Sequence, residues 1–277
     1  MGDVYQRLPV HLRRLAVFLV FFCIQNSLTG EAAASAWTRE KHKILIITRA
    51  EYFQSDLGEI SVMGDIVNGR FERFESNTYV EFGVTDRIMI GGKVFYGTSW
   101  LTRGTDVETA SGFSEIEGFA QYQVFRTGRH AGSVKIAAGV PGDLSSGARA
   151  SLQSNGADAE LSLLYGRSIK FEPIKIFAAA EVGYRKRFSD SADQARLLTT
   201  IGVEPSERWT FLLDTFTVLS AGNELSGGAD YDIVKIQPSV IWRASKRFAV
   251  EAGVTQEIAG RNIVLGRTVF VGLRTRF

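Results

Sequence analysis

Carboxylates recur at every second position in parts of this chain, as in Glu115 with Glu117 and Asp158 with Glu160. In an extended strand, residues two apart share a face, so each pair presents two negative charges to one surface. Such pairs can attract cations or line a polar passage, and a catalytic use would need a base or nucleophile beside them. Three histidines occur in 277 residues. His42 and His130 are the two that follow the N-terminal region, and both fall beside predicted tight turns rather than at the opposite ends of the strands. A hydrolase at an external rim needs a His there to activate Ser or water, so no catalytic residue is expected. The same region has no Cys and no pair of His at ligand spacing, so neither a metal site nor a cofactor is expected.

The elements that must carry these charges alternate polar and apolar positions from residue 44 onward, punctuated by Gly, Asp, Ser, Asn and Arg. Period two with turn punctuation predicts antiparallel strands. About twelve are expected, over 43–54, 71–84, 88–99, 113–125, 132–141, 157–168, 174–187, 194–204, 209–219, 231–243, 248–258 and 263–277. Their lengths suit tilted strands that cross a bilayer, for which roughly nine to eleven residues are needed. In the second, Phe74, Ser76, Thr78, Val80 and Phe82 share one face, while Arg73, Glu75, Asn77, Tyr79 and Glu81 share the other. In the seventh and eleventh, Ala178, Val182, Val250 and Val254 stand against Glu181, Arg185, Glu251 and Glu257. Small residues are interspersed on both faces, which points to an apolar exterior around a wet or charged lumen rather than a sandwich core.

Basic candidates for the lumen wall are Arg49, Arg73, Lys93, Lys135, Lys175, Arg185, Arg196, Lys235, Arg274 and Arg276. The acidic ones are Glu51, Glu75, Glu81, Glu115, Glu117, Asp158, Glu160, Glu181, Asp214, Glu251 and Glu257. The sets nearly balance, so strong charge selectivity is not expected; a narrow channel or a lumen braced by ion pairs would suit them. Aromatics near strand ends, among them Trp37, Tyr79, Tyr122, Tyr165, Trp209, Trp242 and Phe248, would form girdles at the interfaces. Tight links follow the even strands, whereas segments 55–70, 100–112, 142–156 and 220–230 read as longer external loops. A weak repeat of strand, tight basic turn and strand recurs among these links, as around Thr85-Asp86-Arg87 and Ser245-Lys246-Arg247.

Only residues 15–24 are continuously apolar; Arg7, Arg13 and Arg14 precede them, and Ala32-Ala33-Ala34-Ser35-Ala36 follows. This is the pattern of an export signal at 1–36, with cleavage expected between Ala36 and Trp37 and a barrel domain over 37–277. The one cysteine, Cys23, lies within that signal. Loss of the signal removes three of 32 basic and two of 30 acidic residues, leaving 29 against 28, a balance that gives no support for nucleic-acid binding.

The last segment, Val269-Phe270-Val271-Gly272-Leu273-Arg274-Thr275-Arg276-Phe277, alternates and ends on an aromatic residue. It resembles the terminal strand by which bacterial barrel proteins are recognised for assembly, which makes Phe277 the expected assembly signal and the barrel-assembly machinery an expected partner. Ala36-Trp37-Thr38-Arg39-Glu40-Lys41 and Tyr79-Val80-Glu81-Phe82-Gly83-Val84-Thr85-Asp86-Arg87 are similar to segments of proteobacterial barrel proteins. Those are grouped with the transporter-like family named after the meta-pathway of phenol degradation. The resemblance implies an outer-membrane, transport-like role. The full expectation is an all-β, up-and-down antiparallel transmembrane β-barrel of about twelve strands, with both termini periplasmic. It would contact outer-membrane lipid and pass small solutes, with a non-conducting structural or surface-binding barrel as the alternative. Arg at Val250 or Ala178 is expected to impair assembly, and Arg at Gly253 or Ala179 to be milder.

Overall fold

The computed structural model describes residues 35–62, 65–142, 156–171, 173–189, 191–222 and 230–277. Apart from Ser35 and Ala36, the expected export signal lies outside the described residues. The described chain forms twelve strands and no helix: β1 (Ile44–Val62), β2 (Asp65–Gly83), β3 (Ile88–Arg103), β4 (Asp106–Arg126), β5 (His130–Pro141) and β6 (Asp158–Phe171) come first. They are followed by β7 (Ile174–Arg187), β8 (Gln194–Glu204), β9 (Trp209–Ser220), β10 (Asp232–Arg243), β11 (Phe248–Arg261) and β12 (Arg267–Arg276). Every strand pairs antiparallel with its sequence neighbours, and β12 returns to β1 to close the barrel. The closing seam runs from Leu45 opposite Arg276 to Gln54 opposite Arg267. It is finished by reciprocal bonds between Ile44 and Phe277, with N–H donors 3.1 and 3.0 Å from the carbonyl oxygens. Closure leaves no unpaired sheet edge.

Exposure follows the alternation. Outward positions carry large apolar side chains, including Leu163 at 63%, Ile136 at 59% and Val182 at 58% exposed. Exposed Tyr122, Tyr165, Trp209, Trp242, Phe248 and Phe277 ring the end where β2–β3, β4–β5, β6–β7, β8–β9 and β10–β11 are joined. Trp37 and Tyr79 depart from the expected girdle, because both lie inside the barrel. Tyr79 stacks on Phe119 and donates to Glu81 Oε1 at 2.6 Å, and Trp37 packs on Ala36, Ala131 and Leu164. Tyr79 sits in phase with Glu75 and Glu81, so its face was set by register rather than by its aromatic ring.

The shared turn chemistry has a direct cause. Thr85 Oγ1 accepts from the N–H groups of Arg87 and Ile88, and Ser245 Oγ accepts from those of Arg247 and Phe248. Each hydroxyl satisfies two donors that the tight reversal would otherwise leave open.

At the opposite end, two expected loops are strand. Segment 55–70 belongs to β1 and β2, with a bulge between Asp56 and Gly58, and segment 100–112 belongs to β3 and β4. Polar hairpins can extend past a membrane because their ladders satisfy each other's backbone groups. Gly58 and Gly104, at φ 68° and 61°, supply the left-handed conformations at the bulge and the reversal. Segments 142–156 and 220–230 fall largely outside the described residues.

Candidate functional site

The candidate site is the inner wall of the barrel, built from inward positions of all twelve strands. On β5 these positions are small, Ala137 and Gly139, and β7 contributes Gly183. A Cβ on Gly183 would lie 2.6 Å from Glu160 Oε1 and 2.7 Å from Ser162 Oγ, so its absence makes room for long side chains to lie across the wall. Arg185 on β7 uses that room. Its Nε donates to Glu160 at 3.0 Å, one terminal nitrogen lies 3.4 Å from Asp158, and the other reaches Glu117 on β4 at 3.3 Å. Arg196 also meets Glu160 at 2.6 Å, Lys93 meets Glu117 at 3.0 Å, and Lys135 meets Glu181 at 2.6 Å. A cavity of about 120 Å³ opens among Lys93, Glu117, Lys135, Glu160, Glu181 and Arg196.

A second set lies on β1 and β9–β12, the facing arc. Glu251 is completely buried between Arg49 at 2.6 Å and Arg274 at 2.8 Å. Lys235 meets Glu257 at 2.7 Å, and Asp214 accepts from Thr200 Oγ1 at 2.5 Å and Gln237 Nε2 at 3.3 Å. Between the arcs, Glu51 stands opposite Glu75 in register; Glu51 accepts from Asn77 at 2.8 Å, and Glu75 from Ser114 at 3.1 Å. Arg73 lies 3.7 Å from Glu75. A register shift at Phe95 and Tyr96 leaves Ser114 without an opposite residue, which turns Phe113 outward and brings Ser114 to Glu75, with Glu115 beside it on β4. Glu81 meets Arg39 at 2.5 Å.

The pattern of pairing therefore differs along the wall. Most inward cations are committed to a carboxylate, and Arg73 stands by Glu75, while Glu51 and Glu75 also accept from the neutral donors Asn77 and Ser114. Paired charges stay ionised away from bulk water at little net gain, and they hold the wall in a fixed shape.

Sequence reasoning did not find several inward groups. Phe177, Ala179, Leu212, Ile241 and Ala249 form an apolar cluster on the inner wall near the tight-turn end. The Phe177 ring covers Gly202, where any Cβ would fall inside the ring. Phe119 covers Gly91 and Phe270 covers Gly253 in the same way. A glycine in register with an aromatic on the neighbouring strand is the readable signal. It also overturns the expectation of mild effects at Gly253 and Ala179. A Cβ at Gly253 would lie 2.6 Å from the Phe270 ring and 2.7 Å from Pro238 O, and Ala179 is part of the packed cluster.

Residues 35–40 also lie inside the barrel at its tight-turn end. Gln121 Nε2 donates to Ser35 O at 3.0 Å, while Gln123 Nε2 and Ser133 Oγ donate to Ala36 O at 2.9 and 2.5 Å. Thr38 Oγ1 donates to Asp86 O at 2.8 Å, and the Trp37 ring lies over Gly166. The backbone of Arg39 and Glu40 passes so close to Gly83 that no side chain fits there.

His42 and His130 are both at the tight-turn end, and His130 Nδ1 lies 2.6 Å from Tyr165 OH. Among the described residues, no group of three or more His, Cys, Asp or Glu is arranged to hold a metal ion.

The chain matches no protein-family model and no curated protein. Among solved structures it is similar to an outer membrane channel from Pseudomonas putida F1, with a TM-score of 0.62 at 8% identity over 90% of this chain and 100% of that one. It is also similar to the NanC porin, with a TM-score of 0.54 at 8% identity over 83% of this chain and 98% of that one. At such identity the likeness is one of fold: a closed antiparallel barrel of the kind those channel proteins adopt.

Proposed function

We propose that this chain is an outer-membrane channel through which small polar solutes pass passively. The observation that carries the reading is the opposition of the two faces of one closed sheet: exposed Leu163, Val182 and Ile136 outside, ion pairs around a cavity of about 120 Å³ within. Lipid satisfies the first face, while water and fixed charge satisfy the second. Twelve strands enclose more than a filled eight-stranded barrel and less than a sixteen-stranded porin, which suits small solutes. The channel and porin folds it resembles support the same reading, and the likeness of the Tyr79–Arg87 segment to the phenol meta-pathway group would place it among transporter-like barrels. The reading assigns no reaction to the protein.

In this reading the N-terminal region carries the export signal, the termini and tight turns face the periplasm, and Phe277 presents the closing strand to the barrel-assembly machinery. Proteoliposomes holding the folded protein should swell in isotonic solutions of small amino acids and sugars. A folded, inserted barrel that leaves such vesicles impermeable would refute transport. The second reading, a non-conducting structural barrel, is favoured by Arg185, which ties β7 to β4 and β6 across the inner wall. The same swelling assay separates the two.

A further inference from the structure

We propose that export of this chain ends in a cut between Ala34 and Ser35, so that Ser35 and Ala36 remain as the start of a segment seated inside the barrel. The inference rests on the exported-barrel reading and fixes the processing site within it. Leader cleavage requires small residues one and three positions before the cut. Three frames in Ala32-Ala33-Ala34-Ser35-Ala36 meet that rule: Ala32 with Ala34, Ala33 with Ser35, and Ala34 with Ala36. The sequence does not choose among them, but the folded barrel does.

A cut after Ser35 or after Ala36 would discard one or both of the residues for which the inner wall has a built seat. Gln121, Gln123 and Ser133 are 3%, 1% and 4% exposed, and their side chains donate to the carbonyls of Ser35 and Ala36. Without those carbonyls, three buried donors lose their protein acceptors. Ala36, itself fully buried, packs with Ala131 and Leu164, so its loss would open a gap in that contact. Ser35 Oγ accepts from Trp37 N at 3.1 Å and donates to Trp37 O at 3.2 Å, a local clasp that holds the Trp37 ring over Gly166. The earliest cut keeps each of these contacts.

The test is to express the full chain in a Gram-negative host, isolate it from the outer membrane, and determine its first residue by intact mass and terminal-peptide sequencing. A chain starting at Ser35 is expected. One starting at Trp37, or at any other residue, overturns the proposal while leaving the export reading in place. Uncleaved protein held in the cytoplasm refutes both. A variant outside the folded barrel provides the independent arm: Ala32→Arg places a bulky charge three positions before the earliest cut but four and five before the later ones. It should accumulate as precursor, and normal processing of this variant would overturn the assignment.

Discussion

Leu197 and Leu198 are adjacent, identical residues on opposite faces of β8, and they separate lipid from lumen within one step of the chain. Leu197 is 37% exposed and stands opposite Val182 on β7, whereas Leu198 shares the inner face of Arg196 and Thr200 and stands opposite Glu181. An Arg facing lipid at the bilayer midplane costs about 2 to 4 kcal/mol, falling toward the interfaces. Leu197 is three residues from one end of β8 and seven from the other, so the lower figure applies to Leu197→Arg, about 2 kcal/mol. That corresponds to roughly a 30-fold loss in the folding equilibrium. Leu198→Arg instead places its cation on the polar inner wall beside the Glu181 carboxylate, so the lipid penalty is absent and a smaller loss is expected. Both variants would be unfolded with guanidinium from lipid vesicles and followed by gel mobility and tryptophan fluorescence. Equal losses at the two positions, or the larger loss at Leu198, would refute the assignment of faces.

Arg185→Ala should leave Glu117, Asp158 and Glu160 short of a shared cation, destabilising the barrel by on the order of 3 kcal/mol and shifting permeability toward cations, as read from reversal potentials in a salt gradient. Gly202→Val should clash with the Phe177 ring and cost about 1 to 3 kcal/mol in denaturant unfolding; a second change, Phe177→Ala, should relieve part of that clash, and a lack of any relief would count against the ring-over-glycine contact. Between β7 and β8, the hydrogen bond from Tyr184, with those from the Arg187 backbone and Lys186, holds the Asp193 carboxyl down at about 2. Its contribution is therefore present above the ordinary Asp range near 3.8 and is lost as pH falls through 2, so hydrogen exchange at the Arg187 amide should quicken across that interval and should already be fast at neutral pH in Asp193→Asn.

Strand number and antiparallel order were legible because the side-chain period of a strand is fixed at two. Glu181 and Val182 could not share a face once β7 was recognised. The strand limits at the loop end were harder to read. Segments 55–70 and 100–112 are rich in Gly, Asp and Glu, which read as loop, and the pairing that makes most of them strand comes from the partner strand. Trp37 and Tyr79 show the corresponding limit for aromatics, since an aromatic near a strand end suits a girdle or an inner stack equally, and only register decides. The apolar patch around Phe177 depends on Gly202 lying directly across from it, a relation between residues 25 apart in the sequence. The seat for residues 35–40 was least visible, because Gln121, Gln123, Ser133 and Gly83 are unremarkable until the chain folds back over them.

Single-channel recording in planar bilayers tests the central claim most directly. Purified, folded wild-type protein should give small, discrete conductance steps, and Arg185→Ala should give larger steps that favour cations. Silent bilayers containing demonstrably inserted protein, or steps unchanged by loss of Arg185, would contradict an account in which the inner wall and its ion pairs form the path.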